Sequence, residues 1–135
     1  MEAKQFLKQY QNILTDIRIL EAQKLELENL AMSVTVSADG ERVQSSGRKD
    51  RMAELAVKIA DAERGIVEQR TQAFHKLREI ESVIKQVPYE RQRIVLHTRY
   101  IERKTWESIA AELDISLRNT YELHGRALKS IQKIL

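Results

Sequence analysis

The sequence predicts an all-α protein, a long antiparallel coiled-coil hairpin followed by a small C-terminal helix-turn-helix domain. Three observations carry that expectation. The 135 residues hold 32% charged residues, 5% aromatics, one Pro and four Gly, a balance that favours helix over sandwich or barrel. Apolar residues recur at helical spacing through two long stretches separated by a Gly- and Ser-containing segment. Beyond the single proline, Pro88, the pattern changes to three short helical segments with capping residues between them.

The first stretch places Phe6, Tyr10, Ile13, Ile17, Leu20, Leu27, Ala31 and Val34 at alternating steps of four and three, with Lys24 out of pattern. A 3.5-residue repeat sustained for about four heptads predicts a helix of nearly thirty residues, about 45 Å long. Leu7, Leu14, Leu25 and Leu30 lie beside that seam and widen it, which favours more than one packing partner. The segment TVSADGERVQSSGRK then interrupts the repeat with β-branched residues, two Gly and three Ser, so a flexible connection is expected at about residues 35–49.

Periodicity resumes after Asp50, a candidate N-cap, through Met52, Leu55, Ile59, Ala62, Ile66, Gln69, Ala73, Leu77, Ile80, Ile84 and Val87. The four-residue steps after both Gln69 and Ala73 predict a local change of twist. Pro88 ends this helix, because the residue before a proline is driven out of the α region. Residues 1–87 thus form an arm and residues 88–135 a head. The two arm helices can fold back on each other or pair with those of a second chain, and either buries the same stripes. So long an arm holds little core of its own, so a homodimer through it is expected, with a head fragment from Pro88 onward forming a marginal three-helix domain.

In the head, Ile94, Val95, Leu96 and Ile101 supply a first short helix and its exit. Thr105 caps a second helix from Trp106 to Leu113, Asp114 and Ile115 turn the chain, and Ser116 caps a third helix running toward Lys133. A helix-turn-helix needs a small residue where its helices cross, and Ala110 is there. Four residues on it needs a left-handed backbone, which Asp114 tolerates less well than Gly would. Ile109, Leu113, Ile115 and Leu123 stand where apolar side chains are required, while Thr120 fills its volume with a hydroxyl that needs a partner.

On these residues the chain resembles a known family. RYIERKTWESIAAELDIS followed by HGRALKSI is similar to region four of bacterial sigma factors, and closer still to the sigma-like C-terminal domain of phage and prophage transcriptional regulators of the ArpU and RinA type. Such proteins carry RYI-x-G-x-x-W-x-E-I-A ahead of a helix ending H-G-R-A-L. The match covers about 48 residues, and GRKDRMAELAVKIADAERGI adds a looser one of about 20 in the arm. Arg103 replaces the usual Gly, Ser108 the acidic residue and Thr120 a Val. The resemblance implies a sequence-specific, DNA-binding regulator of phage or prophage genes, acting at a late or packaging promoter.

Composition adds weak support: residues 1–88 carry 14 basic and 14 acidic side chains, whereas residues 89–135 carry 9 and 6, so the whole net charge of +3 lies in the head. If the third helix enters a major groove, Ser116, Leu117, Arg118, Asn119, Tyr121 and Glu122 occupy its first turns. Arg118 has the fork for guanine, Asn119 the amide for adenine and Leu117 an apolar surface for a thymine methyl. Gly125 permits close approach, and Arg126 and Lys129 suit phosphate, as do Arg103 and Lys104 beside the N-terminus of the second helix. Trp106 suits either a core position or stacking on a base, and Tyr121 either an inward or an outward role.

The expected partner is double-stranded DNA, with RNA polymerase as a further partner if the head acts as a sigma-like factor. A small terminase-like packaging subunit is the alternative, although such subunits usually place the DNA-reading domain first. No apolar run reaches bilayer length and the N-terminus lacks a signal-peptide core, so a cytoplasmic protein with no membrane partner is expected. The absence of Cys excludes thiol chemistry and disulfides, and the wide spacing of His75, His97 and His124 gives no metal site. No enzyme activity and no cofactor are expected, since there is neither a phosphate loop nor a sheltered pair of carboxylates.

Overall fold

In a computed structural model of the chain, residues 1–37 and 45–135 are described, and among them the secondary structure is helical throughout. The order is α1 (Ala3–Ser37), α2 (Ser45–Lys85), α3 (Glu90–Leu96), a π-helical turn (His97–Ile101), α4 (Trp106–Leu113) and α5 (Leu117–Ile134). The two long helices pack against each other as a hairpin, and the three short ones form the small helical domain that the sequence predicts.

The expected connection at about 35–49 is shorter on both sides. Residues 38–44 lie outside the described residues, but α1 runs on to Ser37 and α2 already begins at Ser45. Asp50 is therefore inside α2 and is not its N-cap. Once a helix is nucleated, each added residue gains a backbone hydrogen bond, so weak helix formers such as Ser46 and Gly47 are absorbed at the end of a long helix.

By packing, the chain forms two compact units, one made of Met1–Leu14 and Gln72–Leu135, the other of Thr15–Thr71. In the second unit α1 and α2 run antiparallel, with Glu21 paired to Arg70 at 2.8 Å and Lys24 to Glu63 at 3.4 Å. Every seam position expected in this unit is buried or half-buried, while the Leu25 and Leu30 side chains stay exposed. Lys24, the break in the repeat, sits half-buried between Glu63 and Glu28, and its hydrogen bond to Glu63 raises its pKa above the usual lysine value. A cation thus replaces an apolar knob where acids on both helices can hold it.

The first unit has a core that the division at Pro88 does not anticipate. Ala3, Phe6 and Leu7 of α1, Ile80 and Ile84 near the end of α2 and Val87 just beyond it are buried in one cluster with Val95, Leu96, Tyr100, Ile109, Ala127 and Ile131. Gln132 of α5 accepts from the Ala3 N–H at 2.8 Å, and Gln11 donates to the Arg99 carbonyl at 3.1 Å. A three-helix fragment from Pro88 onward is therefore not self-contained. Its three short helices cannot enclose a core alone, and the ends of the long helices fill it.

The turn between α4 and α5 is built as expected. Asp114 takes φ 54° and ψ 47°, the left-handed region, and its N–H closes the end of α4. Thr105 caps α4 by accepting from the Ser108 N–H at 3.1 Å, and Ser116 caps α5 by accepting from the Asn119 N–H at 3.0 Å. Thr120 is fully buried, and its hydroxyl donates to the Ser116 carbonyl at 2.9 Å, which supplies the partner the hydroxyl requires. Asp114→Gly should accordingly leave the melting temperature unchanged or slightly raised, whereas Asp114→Val should destabilise by about 1 kcal/mol or more. Equal melts for Asp and Val would show that a left-handed residue is not required there.

Candidate nucleic-acid interface

The exposed face of α5 begins where the chain leaves the left-handed turn. Ser116 sets the start of the helix and holds the Asn119 amide, so Leu117, Arg118 and Asn119 occupy its first turn, all exposed. No acidic residue lies in that turn, so the free amides and partial positive charge of the helix start are not neutralised locally. Tyr121, Glu122, Arg126 and Lys129 continue on the exposed side, whereas Thr120, His124, Ala127 and Ile131 face the core. The Arg118 side chain is 88% exposed and pairs with Glu122 at 3.5 Å. An exposed pair of this kind contributes about 0.3–0.5 kcal/mol and is readily exchanged for another partner.

Gly125 is half-buried, and a Cβ there would meet nothing within 4 Å. Its place on the helix is therefore open to the outside, compatible with the close approach the sequence suggests. Arg103 is exposed and holds φ 59°. It stands where the resembled family has Gly, and it keeps the conformation that explains a Gly there.

Lys104 differs from expectation. Its ammonium is held by Glu112 at 3.0 Å and Glu102 at 3.4 Å, and the hydrogen bond to Glu112 is the main cause of its raised pKa. Glu102 is in turn held below the usual carboxylate range, chiefly by its hydrogen bond from His97. A phosphate would have to displace two carboxylates to reach Lys104, whereas Arg103 is exposed with no ion pair among the described residues.

Behind this face is an aromatic cluster that sequence reading resolved only in part. Trp106 is half-buried, edge-on to Tyr121 at 5.4 Å and to His124 at 4.6 Å, so its role is packing. Tyr121 leans on Trp106 yet remains exposed. Arg99 lies over the Trp106 ring at 4.4 Å and donates to the Lys104 carbonyl at 2.9 Å, tying the π-helical turn to the entry of α4. Tyr100 and His124 share a buried hydrogen bond of 2.7 Å. Burial pushes the Tyr100 hydroxyl up to about 12 and the His124 imidazole down to about 4, with the positive charges of Lys4 and Arg99 adding to the latter. Arg99, Tyr100 and His124 lie inside the RYI and HGRAL segments, which was the available signal for them, although spacing alone does not reveal that they meet.

Fold and geometry together define an all-α protein, a two-helix hairpin and a small helical domain whose last helix has an exposed, partly basic face. A family model described as a protein of unknown function (DUF1492) matches residues 31–132, and the chain belongs to that family. No curated protein and no solved structure gives a match. Among the described residues no helix is long and apolar enough to cross a membrane, and no group of His, Cys, Asp and Glu could hold a metal ion.

Proposed function

We propose that the protein is a sequence-specific, double-stranded DNA-binding regulator of transcription. The observation that carries this reading is the left-handed residue at Asp114 between two capped helices, which leaves Leu117, Arg118 and Asn119 exposed on the first turn of α5. Those are the positions from which a helix lying in a major groove reaches base edges, and the side chains there match guanine, adenine and a thymine methyl. Arg126, Lys129 and Arg103 supply phosphate contacts around them. The resemblance to phage and prophage regulators narrows the reading to such genes.

The test is a titration of duplex DNA at several salt concentrations, first on sites selected from random duplexes. Arg118→Ala should cost about 1–3 kcal/mol on the selected site and relax preference at one position. Lys129→Ala should weaken binding to all sequences alike and lower the salt slope by about one. Equal losses for both variants on selected and random DNA would remove the assignment of α5 as the reading helix. Absence of salt-dependent affinity would remove the function.

A further inference from the structure

The hairpin of residues 15–71 leaves an apolar face that its own seam does not use. With the seam residues taken as heptad positions a and d, the b positions are Arg18, Leu25 and Met32 on α1 and Ala53, Ala60 and Val67 on α2. Their c counterparts on the other side are Ile19, Glu26 and Ser33 on α1 and Glu54, Asp61 and Glu68 on α2. Both sets flank the seam with the same freedom to meet water, yet the α2 rows are wholly apolar on one side and wholly acidic on the other. Leu25 is 58% and Val67 62% exposed. Between them runs a groove of about 520 Å³, floored by Ile66 and edged by Glu21, Lys24 and Arg70.

We infer that this face is where a second copy of the chain docks, making a four-helix bundle from two hairpins. Three features of the face select that occupant. Its charges are mixed, Glu21, Glu28 and Glu63 against Lys24 and Arg70 in the groove and Arg18 on the same row, and they balance, so two copies do not repel and a polyanion gains nothing. Its shape is complementary over part of its length: α1 offers the large side chains Leu25 and Met32, while α2 offers the small side chains Ala53 and Ala60, with Val67 at the end of that row. A two-fold axis that lays α1 of one copy over α2 of the other sets Leu25 and Met32 over the stretch of Ala53 and Ala60, and repeats the same match on the other side, as an isologous interface requires. The third feature is need: among the described residues of 15–71 only Ile17 and Ile66 are buried hydrophobics, far fewer than a stable unit of that size encloses. This inference stands apart from the DNA reading, since it uses no residue of the head.

Sedimentation equilibrium of the full chain should give a dimer. The Leu25→Glu, Val67→Glu double variant should weaken it by about 100-fold or more, with Trp106 fluorescence of the head unchanged. The absence of native Cys permits a second measurement that needs no destabilising change. Mixed Leu25→Cys and Val67→Cys chains treated with a short bis-maleimide should form a cross-linked species of twice the chain mass. The same mixture of Glu26→Cys and Asp61→Cys chains, at c positions, should not. A monomer at tens of micromolar, a ring, or equal cross-linking from both pairs would overturn the inference. DNA titration of the monomeric variant on a single half-site reads the head separately.

Discussion

Removing residues 1–14 should unfold the head, although the whole helix-turn-helix would remain in the chain. Ala3, Phe6 and Leu7 lie in the same buried cluster as Ile109, Ala127 and Ile131, and without them the inner faces of α4 and α5 lose part of their cover. Leu7→Ala alone should cost about 2–5 kcal/mol, the range for deleting a fully buried leucine side chain. Ile19→Ala, at a half-exposed position on the hairpin, should change stability by about 0.5 kcal/mol or less. Thermal melts followed by Trp106 fluorescence read the head directly, because that ring packs on His124 and Tyr121. A truncated chain that kept a cooperative melt within a few degrees of the intact one would mean that the head closes its core without α1.

The second large effect is a loss of stability in mild acid, originating at His124. The imidazole is buried beneath α5 against Tyr100 and Trp106, with Lys4 and Arg99 as nearby positive charges. Its folded pKa of about 4 lies below the ordinary histidine value of 6.5, so the folded state resists a proton that the unfolded chain accepts. Above pH 6.5 both states are neutral there and nothing is lost. As pH falls from about 6.5 toward 4 the unfolded state is favoured progressively, by a total on the order of 2–3 kcal/mol. Melts at pH 7.5, 6 and 5 should show the decline, and a titration of the imidazole resonances should find His124 still neutral at pH 5. If that resonance titrates near 6.5 in the folded protein, the His124 environment is not the dry one described.

Local physics explains which features were legible in the sequence. The seam of the hairpin was readable residue by residue, from Phe6 to Val34 and from Met52 to Val87, because a helix repeats its environment every 3.5 residues and the apolar side chains record that period. Thr105, Asp114 and Ser116 were readable because a cap or a left-handed turn is set by a few adjacent residues. The extra hydrogen-bonding register of the π-helical turn at His97–Ile101 left no such trace. Nor did the participation of Ala3 and Phe6 in the head core, since contacts across more than a hundred residues have no period to betray them. Lys104 illustrates the same limit at a site: its charge was visible, but the two carboxylates that hold it came from the fold.

The bond from the Ala3 N–H to Gln132 and that from the Gln132 amide to the Met1 carbonyl join residues 129 and 131 positions apart. The ribosome makes Ala3 long before it makes Gln132. Phe6 and Leu7 therefore wait without their α5 partners Ala127 and Ile131 until that helix has been synthesised, and no nascent chain that stops short of α5 can complete the head. Closing so long a loop makes the final docking step a slow one compared with zipping the hairpin, whose partners follow each other through a short connection. Hairpin first and head last is the order this places on the birth of the molecule, and a product cut short before α5 would emerge with Phe6 and Leu7 displayed to any chaperone or protease that surveys unfinished chains.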